Sequence, residues 1–169
     1  ILRRVADNDP RGRAAALAAE WAAFQASIVA RFNTSSERLR ILINVPVKRE
    51  MLKYIAGTMR KLDDSKAGDV FHLALFHYDE PADRPPAELP EDVAGVLRDR
   101  IVHQGTGPSC HVQQWRQLTP ELVRDYDYVW HIDGDITAEF FSWDIFRHYL
   151  LTLRPLIMQP AVLGNPGDK

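Results

Sequence analysis

The chain lacks the residues that several common kinds of site require. It has one cysteine, Cys110, so it can form neither an intrachain disulfide nor a zinc site built from cysteines. Its 21 lysines and arginines against 23 aspartates and glutamates give a net charge of −2, and no basic run provides a footprint for nucleic-acid phosphates. The glycine-rich patterns GxGxxG and GxxxxGKS/T are absent as well. These absences argue against nucleic-acid partners and against nicotinamide or P-loop nucleotide sites.

No transmembrane segment is predicted from the sequence. The most apolar stretch, residues 14–32, is interrupted by Glu20 and Arg31, whereas a spanning helix needs about 20 mostly apolar residues. Because the chain starts at Ile1 without a signal-peptide pattern, we expect it to be a fragment, with any anchor or targeting signal outside it.

The N-terminal region predicts an amphipathic helix over residues 11–32. Its apolar face is a stripe made of Leu17, Trp21, Phe24, Ile28 and Phe32. We expect this stripe to pack against the body of the domain. The alternative is that it binds a partner.

The rest of the chain shows the alternation of strands and helices that is typical of an α/β fold. With 169 residues, 46% of them apolar, it is long enough for one domain with a sizeable core. We predict a helical extension over residues 1–38 and one domain over residues 39–169. Strands are predicted at 40–45, 69–78, 100–104 and 128–132, and helices at 47–62, 92–98, 110–118 and 142–152, with a proline-rich loop at 79–92 and a short helix that begins at Thr119 and Pro120. Nearly continuous apolar strands alternating with helices predict a mainly parallel sheet with helices on both faces.

The end of the chain predicts one more helix and one more apolar segment. Ser142 is the predicted N-cap of the helix over 142–152. The side chains predicted to face inward are Ile145, Phe146, Tyr149, Leu150 and Leu153. A last apolar run follows at residues 156–163.

The most informative stretch is DYDYVWHIDGDIT at residues 125–137. A buried strand leads there directly into Asp133, Gly134 and Asp135. Ligands of open α/β sheets bind outside the carboxyl ends of the strands, and residues two apart on a continuing strand share a face. Because Gly134 lets the backbone turn, both carboxylates would reach one point, which suits Mg²⁺ or Mn²⁺ held together with a diphosphate.

Two other interpretations of this stretch stay open. Asp-Gly and Gly-Asp are common turn pairs, so the acids can be solvated turn residues. DGDIT also matches the DxDxT loop of haloacid dehalogenase-type phosphatases, in which Asp133 would attack phosphorus and Asp135 would handle the proton. Those enzymes carry the loop on the first strand and need a downstream lysine, whereas Lys169 is the only lysine after Asp135. The six histidines lack metal-ligand spacing, and His131 is either a neighbour of the acids or an ordinary core or turn residue.

Five segments carry a resemblance to a known family. They are a first strand and helix at residues 40–61, LALFHYDE at 73–80, QLTPELVRDY at 117–126, DYDYVWHIDGDI at 125–136 and LIMQPAVL at 156–163. Through them, residues 39–164 resemble the uncharacterised plant family labelled lysine-ketoglutarate reductase trans-splicing-related, in which the last segment is a strand. That family in turn resembles GT-A glycosyltransferases, which combine a Rossmann-like nucleotide-sugar domain with a metal-binding DxD motif.

The resemblance implies a fold and a set of site residues. The fold would be the Rossmann-like, nucleotide-sugar-binding half of a GT-A enzyme. Val45 and Pro46 would line the nucleoside site, and Asp79 would be the acid after the second strand that contacts base or ribose. Asp133 would contact ribose or metal, and Asp135 would bind the Mn²⁺ or Mg²⁺ that bridges the diphosphate.

The resemblance also implies an activity. We expect the nucleotide-sugar-binding portion of a metal-dependent glycosyltransferase, which transfers a sugar from a nucleotide-diphosphate donor to an unknown glycan, protein or small-molecule acceptor. GT-A enzymes place the acceptor site and the catalytic base further along the chain, so we expect the domain over 39–169 to be incomplete at its C-terminus. The alternatives are a non-catalytic GT-A-like binding module and the phosphatase. Location in the Golgi or secretory-pathway lumen is implied by the resemblance alone.

Overall fold

The computed structural model describes residues 37–65, 67–82, 85–86, 88–107, 111–139 and 141–160, together with five separate helical positions near the N-terminus, Ala16, Ala19, Glu20, Ala22 and Ala23. The predicted stripe on the helix over 11–32 lies outside the described residues. So do residues 161–163 of the last predicted apolar run. Within the part of the chain that is described, no helix is both long and apolar enough to cross a membrane.

Four parallel strands form one sheet. They are β1 (Arg40–Val47), β2 (Val70–His77), β3 (Ile101–Thr106) and β4 (Tyr128–His131), arranged in the order β3-β2-β1-β4. Seven of the eight residues of β1 and six of the eight of β2 are buried, which is the pattern of strands covered on both faces. The α/β class predicted from the sequence is confirmed.

Among residues 37–160, the described part of the chain contains five helices and two 3₁₀ turns. The helices are α1 (Leu52–Asp63), α2 (Glu91–Leu97), α3 (His111–Trp115), α4 (Pro120–Val123) and α5 (Trp143–Leu153), and the 3₁₀ turns are Arg49–Met51 and Arg98–Arg100. Thr119 caps α4 as predicted, since its hydroxyl accepts a hydrogen bond from the Leu122 amide.

The first helix starts five residues later than predicted, because β1 is two residues longer than expected and Lys48 and the 3₁₀ turn Arg49–Met51 come before the helix. Pro46 and Val47 stay buried and pair with β2. A proline is tolerated there because β4 pairs only with Ile41–Asn44, so the sheet has no β4 neighbour at Pro46.

The direction of the connections assigns the helices to faces. The chain steps from β1 to β2 to β3 in one direction and then returns to place β4 on the other side of β1. Right-handed crossovers therefore put α1 and α2 on one face and α3 and α4 on the other. On the second face, buried residues of β1 and β2 pack against partly buried hydrophobic residues of the α3–β4 region, and the set is Leu42, Ala74, Phe76, Leu118, Leu122, Val123, Tyr126 and Val129.

The chain divides into two compact units, Ser36–Phe141 and a second formed by Ile1–Ser35 with Ser142–Lys169. The sheet belongs to the first and α5 to the second. Ser142 caps α5 as predicted, its hydroxyl accepting a hydrogen bond from the Ile145 amide at 3.5 Å.

Two predictions for the second unit are wrong. Tyr149 and Leu153 were expected to face inward, but 43% and 65% of their surfaces are exposed, because the buried face of α5 runs through Trp143, Arg147 and Leu150. The strand that the family resemblance implies for the apolar run at 156–163 is not formed over its described part, residues 156–160, where Leu156 and Ile157 are almost fully exposed. An apolar segment is thus not necessarily a buried one.

Candidate functional site at the carboxyl end of the sheet

The candidate site lies where the strand order reverses. β2 lies on one side of β1 and β4 on the other, so the order of the strands reverses at β1. In open parallel sheets this reversal opens a crevice outside the carboxyl ends of the two strands, and ligands bind there. The segments at this edge are residues 48–51 after β1 and residues 132–136 after β4.

The acidic turn after β4 packs directly against the end of β1. A methyl group placed on Gly134 would lie 2.6 Å from the Pro46 carbonyl oxygen, 3.1 Å from Met51 Sδ and 3.4 Å from Val47 Cα. Gly134 is buried, while Asp133 and Asp135 on either side of it are exposed. The glycine is therefore required for a close approach of two backbones, which leaves both acids at the solvent edge.

The geometry of this turn differs from the prediction in one respect. β4 ends at His131, one residue early, so the acids do not lie on a continuing strand. They lie in a turn in which the Ile136 amide donates to the Asp133 carbonyl oxygen at 3.2 Å. β4 pairs with β1 only as far as Asn44, and the Ile132 amide makes the last link, to the Asn44 carbonyl oxygen.

The acid after β2 lies at the same edge. The Arg49 amide donates to Asp79 Oδ2 at 3.4 Å, and the Tyr78 hydroxyl lies 3.8 Å from Met51 Sδ. Both contacts tie the end of β2 to the 3₁₀ turn that follows β1. Since Met51 also neighbours Gly134, residues predicted from three separate stretches of sequence meet around the carboxyl end of β1.

Val45 and Pro46, the two residues predicted to line a nucleoside, are buried, whereas Asp133 and Asp135 are exposed. Val45 is 0% exposed inside β1, and Pro46 is buried in the same strand. Neither side chain is open to solvent. At Pro46 the backbone carbonyl, which Gly134 approaches, is the group nearest the turn.

The donor set suits a metal ion that is shared with a substrate. Among the described residues, no group of three or more histidine, cysteine, aspartate or glutamate side chains is arranged to hold a metal ion. Asp133 and Asp135 supply two carboxylates. Mg²⁺ is commonly bound in this way, through one or two carboxylates, with substrate phosphates and water completing its coordination. A divalent ion at this turn would therefore need substrate phosphates or water to complete its coordination.

A buried amide beside this edge was missed by the sequence prediction. Asn44, in the middle of the sheet, is 1% exposed, and its Nδ2 lies 2.8 Å from His131 Nδ1. In the neutral imidazole the amide donates and Nδ1 accepts. The His131 ring also contacts the Trp115 ring at a centroid distance of 4.9 Å, and burial lowers the pKa of the imidazole below its ordinary value. The signal for Asn44 was available, as the one polar residue in the run ILINV.

The Asn44–His131 contact stabilises the end of β4. Asn44 Oδ1 is buried and has no hydrogen-bond partner among the described residues, so burial of this amide carries a desolvation cost. The contact joins the last residue of β4 to β1, two residues before Asp133. His131 is therefore a structural neighbour of the acidic turn.

The position of β4 also bears on the phosphatase interpretation. DGDIT follows the fourth strand in chain order, and within the described part of the sheet that strand pairs only with β1. The phosphatase loop follows the first strand, which in this chain ends in the segment VKRE, with no DxDxT pattern.

Comparison of the chain with protein-family models, with curated proteins and with solved structures finds no match.

Proposed function

We propose that the chain is the nucleotide-sugar-binding portion of a metal-dependent glycosyltransferase. Its site would be the carboxyl edge of β1, β2 and β4, and its ligand a nucleoside diphosphate sugar bound with Mn²⁺ or Mg²⁺. The observation that carries the proposal is the packing of Gly134 against the end of β1, at the point where the strand order reverses. This packing leaves the two acids exposed where ligands of open α/β sheets bind.

The order of elements supports the same proposal. A Rossmann-like sheet begins with the strand order 3-2-1-4, and this chain has that order with a DxD sequence directly after β4. Asp79 follows β2 and is hydrogen-bonded to the segment after β1, in the position expected for an acid that contacts base or ribose.

Asp133 and Asp135 would hold the divalent ion. The ion would supply positive charge to the diphosphate, which accumulates negative charge as the sugar leaves. The chain's own contribution is to bind and orient: the Gly134 packing sets the distance between the acids and β1, and the Asn44–His131 contact fixes the end of the strand that precedes them. Asp79 would orient the nucleoside.

The proposal is tested by calorimetric titration of UDP and GDP into the protein, first with Mn²⁺ and then with EDTA. One of the two nucleotides should bind with Mn²⁺ and lose most of its affinity in EDTA. Asp135→Asn keeps the shape of the side chain but removes its charge, so it should weaken binding at least about tenfold, the loss expected for a charge-assisted contact.

Asp125→Asn is the matched control. Asp125 is also an exposed carboxylate, but it lies before β4, at the opposite edge of the sheet, with Arg124 3.9 Å away. This variant should bind as the wild type does. Equal affinity in Mn²⁺ and EDTA, or equal losses in both variants, would contradict the proposal.

A second assay separates an enzyme from a non-catalytic module on the same scaffold. Release of free UDP or GDP from nucleotide sugars should be followed on the protein, with and without acceptor mixtures. Metal-dependent release supports a transferase. Binding without any release supports the binding module.

A further inference from the structure

We propose that Lys48 is the protein cation that contacts the diphosphate at this edge, an inference that rests on the proposed function. Lys48 directly follows β1 and is half-buried, with an extended backbone that begins the 3₁₀ turn. Lys48 therefore lies at the end of β1, which the acidic turn also approaches.

The contacts around Met51 connect the acids to this lysine. Met51 Sδ lies against Gly134 on one side and 3.8 Å from the Tyr78 hydroxyl on the other. The Lys48 ammonium lies over the Tyr78 ring, with Nζ 5.5 Å from the ring centroid. Gly134, Met51, Tyr78 and Lys48 thus form a continuous set of neighbours along the edge, with carboxylates at one end and an ammonium group at the other.

The ammonium group is held by an aromatic face, and no carboxylate neutralises it within the described residues. The ion pairs Arg100–Asp63 and Arg124–Asp125 do not involve Lys48. A cation over an aromatic ring keeps its full charge and can still accept an anion, because the attraction comes from the ring quadrupole. The ring therefore positions the ammonium group without neutralising its charge.

Charge balance supplies the reason for such a cation. A divalent ion that already shares two carboxylates cannot neutralise a diphosphate by itself, so additional positive charge is needed beside the phosphates. A lysine suits this role as a compact charge with three rotatable donors. The chemical class recognised is thus a nucleoside diphosphate, with Lys48 on the phosphates and the two acids on the ion.

The test compares Lys48→Gln with Lys53→Gln, which removes the same charge outside the site. Lys53 is exposed on α1, and its Nζ also lies over an aromatic ring, 4.9 Å from the centroid of Tyr54. We expect Lys48→Gln to weaken Mn²⁺-dependent binding of the nucleotide by about 10- to 100-fold. Lys53→Gln should change it by less than about threefold, and Lys48→Arg should keep most of the affinity. Urea unfolding midpoints equal to that of the wild type would show that the variants are folded.

Titration with inorganic pyrophosphate and Mn²⁺ separates failure of this inference from failure of the proposed function. If the wild type binds UDP or GDP and Lys48→Gln binds equally well, the inference is overturned and the proposed function stands. If neither nucleotide binds but pyrophosphate binds in a Lys48-dependent way, the nucleotide function fails and the role of Lys48 as a diphosphate cation is supported. Absence of binding to all three ligands overturns both.

Discussion

Substitution of Gly134 by alanine tests how the acidic turn is held against the sheet. The added methyl group would lie 2.6 Å from the Pro46 carbonyl oxygen and 3.1 Å from Met51 Sδ. The methionine side chain can move, but the carbonyl belongs to a buried strand and cannot withdraw without disturbing β1. Overpacking of this kind costs about 1–3 kcal/mol of unfolding free energy.

Gly57→Ala is the matched control for this prediction. Gly57 is exposed on α1, and a methyl group there would meet no atom within 4 Å. Replacing a glycine by alanine inside a helix stabilises it by roughly 0.5–1 kcal/mol. The same chemical change should therefore have opposite signs at the two positions.

Urea unfolding, followed by circular dichroism, measures this difference directly. A slope of about 2 kcal/mol per molar urea converts a loss of about 2 kcal/mol into a shift of about 1 M in the midpoint. Gly134→Ala should unfold at lower urea than the wild type, and Gly57→Ala at the same or higher urea. Equal midpoints for the two variants would refute the close approach of Gly134 to β1.

Two further predictions concern pH and helix capping. Burial chiefly, and then the nearby positive charge of Arg40, lower the pKa of His72, whose Nδ1 lies 2.7 Å from the Tyr126 hydroxyl. As the pH falls below about 6.5 the unfolded chain binds this proton first, so the free energy of unfolding should decrease, and it should decrease less steeply in His72→Gln. An identical pH dependence of urea midpoints between pH 7 and pH 5 would contradict this. Thr119→Ala removes the hydroxyl that accepts a hydrogen bond from the Leu122 amide at 3.4 Å, and it should lower the free energy of unfolding by about 0.5–1 kcal/mol in the same assay. Thr119→Ser keeps a hydroxyl and should lower it by less. Equal losses in the two variants would exclude a capping role.

Much of the sheet followed from local sequence. The apolar runs predicted both ends of all four strands to within two residues, because buried parallel strands are nearly continuously apolar. The capping sequences at Thr119 and Ser142 predicted two helix starts, since a cap is a local hydrogen bond.

The parts that were missed depend on contacts between distant segments. The extension of β1 through Pro46 depends on where β4 ends, and no local pattern encodes that. The reason for Gly134 was also misjudged: glycine was expected for its freedom to turn, whereas the structure requires it for the space beside β1. The exposure of Leu156 and Ile157 shows the same limit, because an apolar segment becomes a strand only where it finds a partner.

The sequence named candidate site residues, but it could not predict how they are arranged. The sequence pointed to Asp79, Asp133 and Asp135, and the fold brings the segments that carry them to one edge. Lys48 was not predicted as a site residue, because a single lysine after a strand is ordinarily a surface residue. Its contact with the Tyr78 ring is visible only in the structure.

The most direct test of the account is to locate bound Mn²⁺ by its paramagnetic broadening of amide signals in a ¹⁵N-labelled protein. With UDP or GDP present, substoichiometric Mn²⁺ should selectively broaden the amides of residues 133–135, together with those of Lys48 and Asp79. The amide of Asp127, at the opposite edge of the sheet, where it donates to the Arg40 carbonyl oxygen, should stay sharp. Broadening centred elsewhere, or none that depends on the nucleotide, would contradict a metal–diphosphate site at the carboxyl end of β1 and β4.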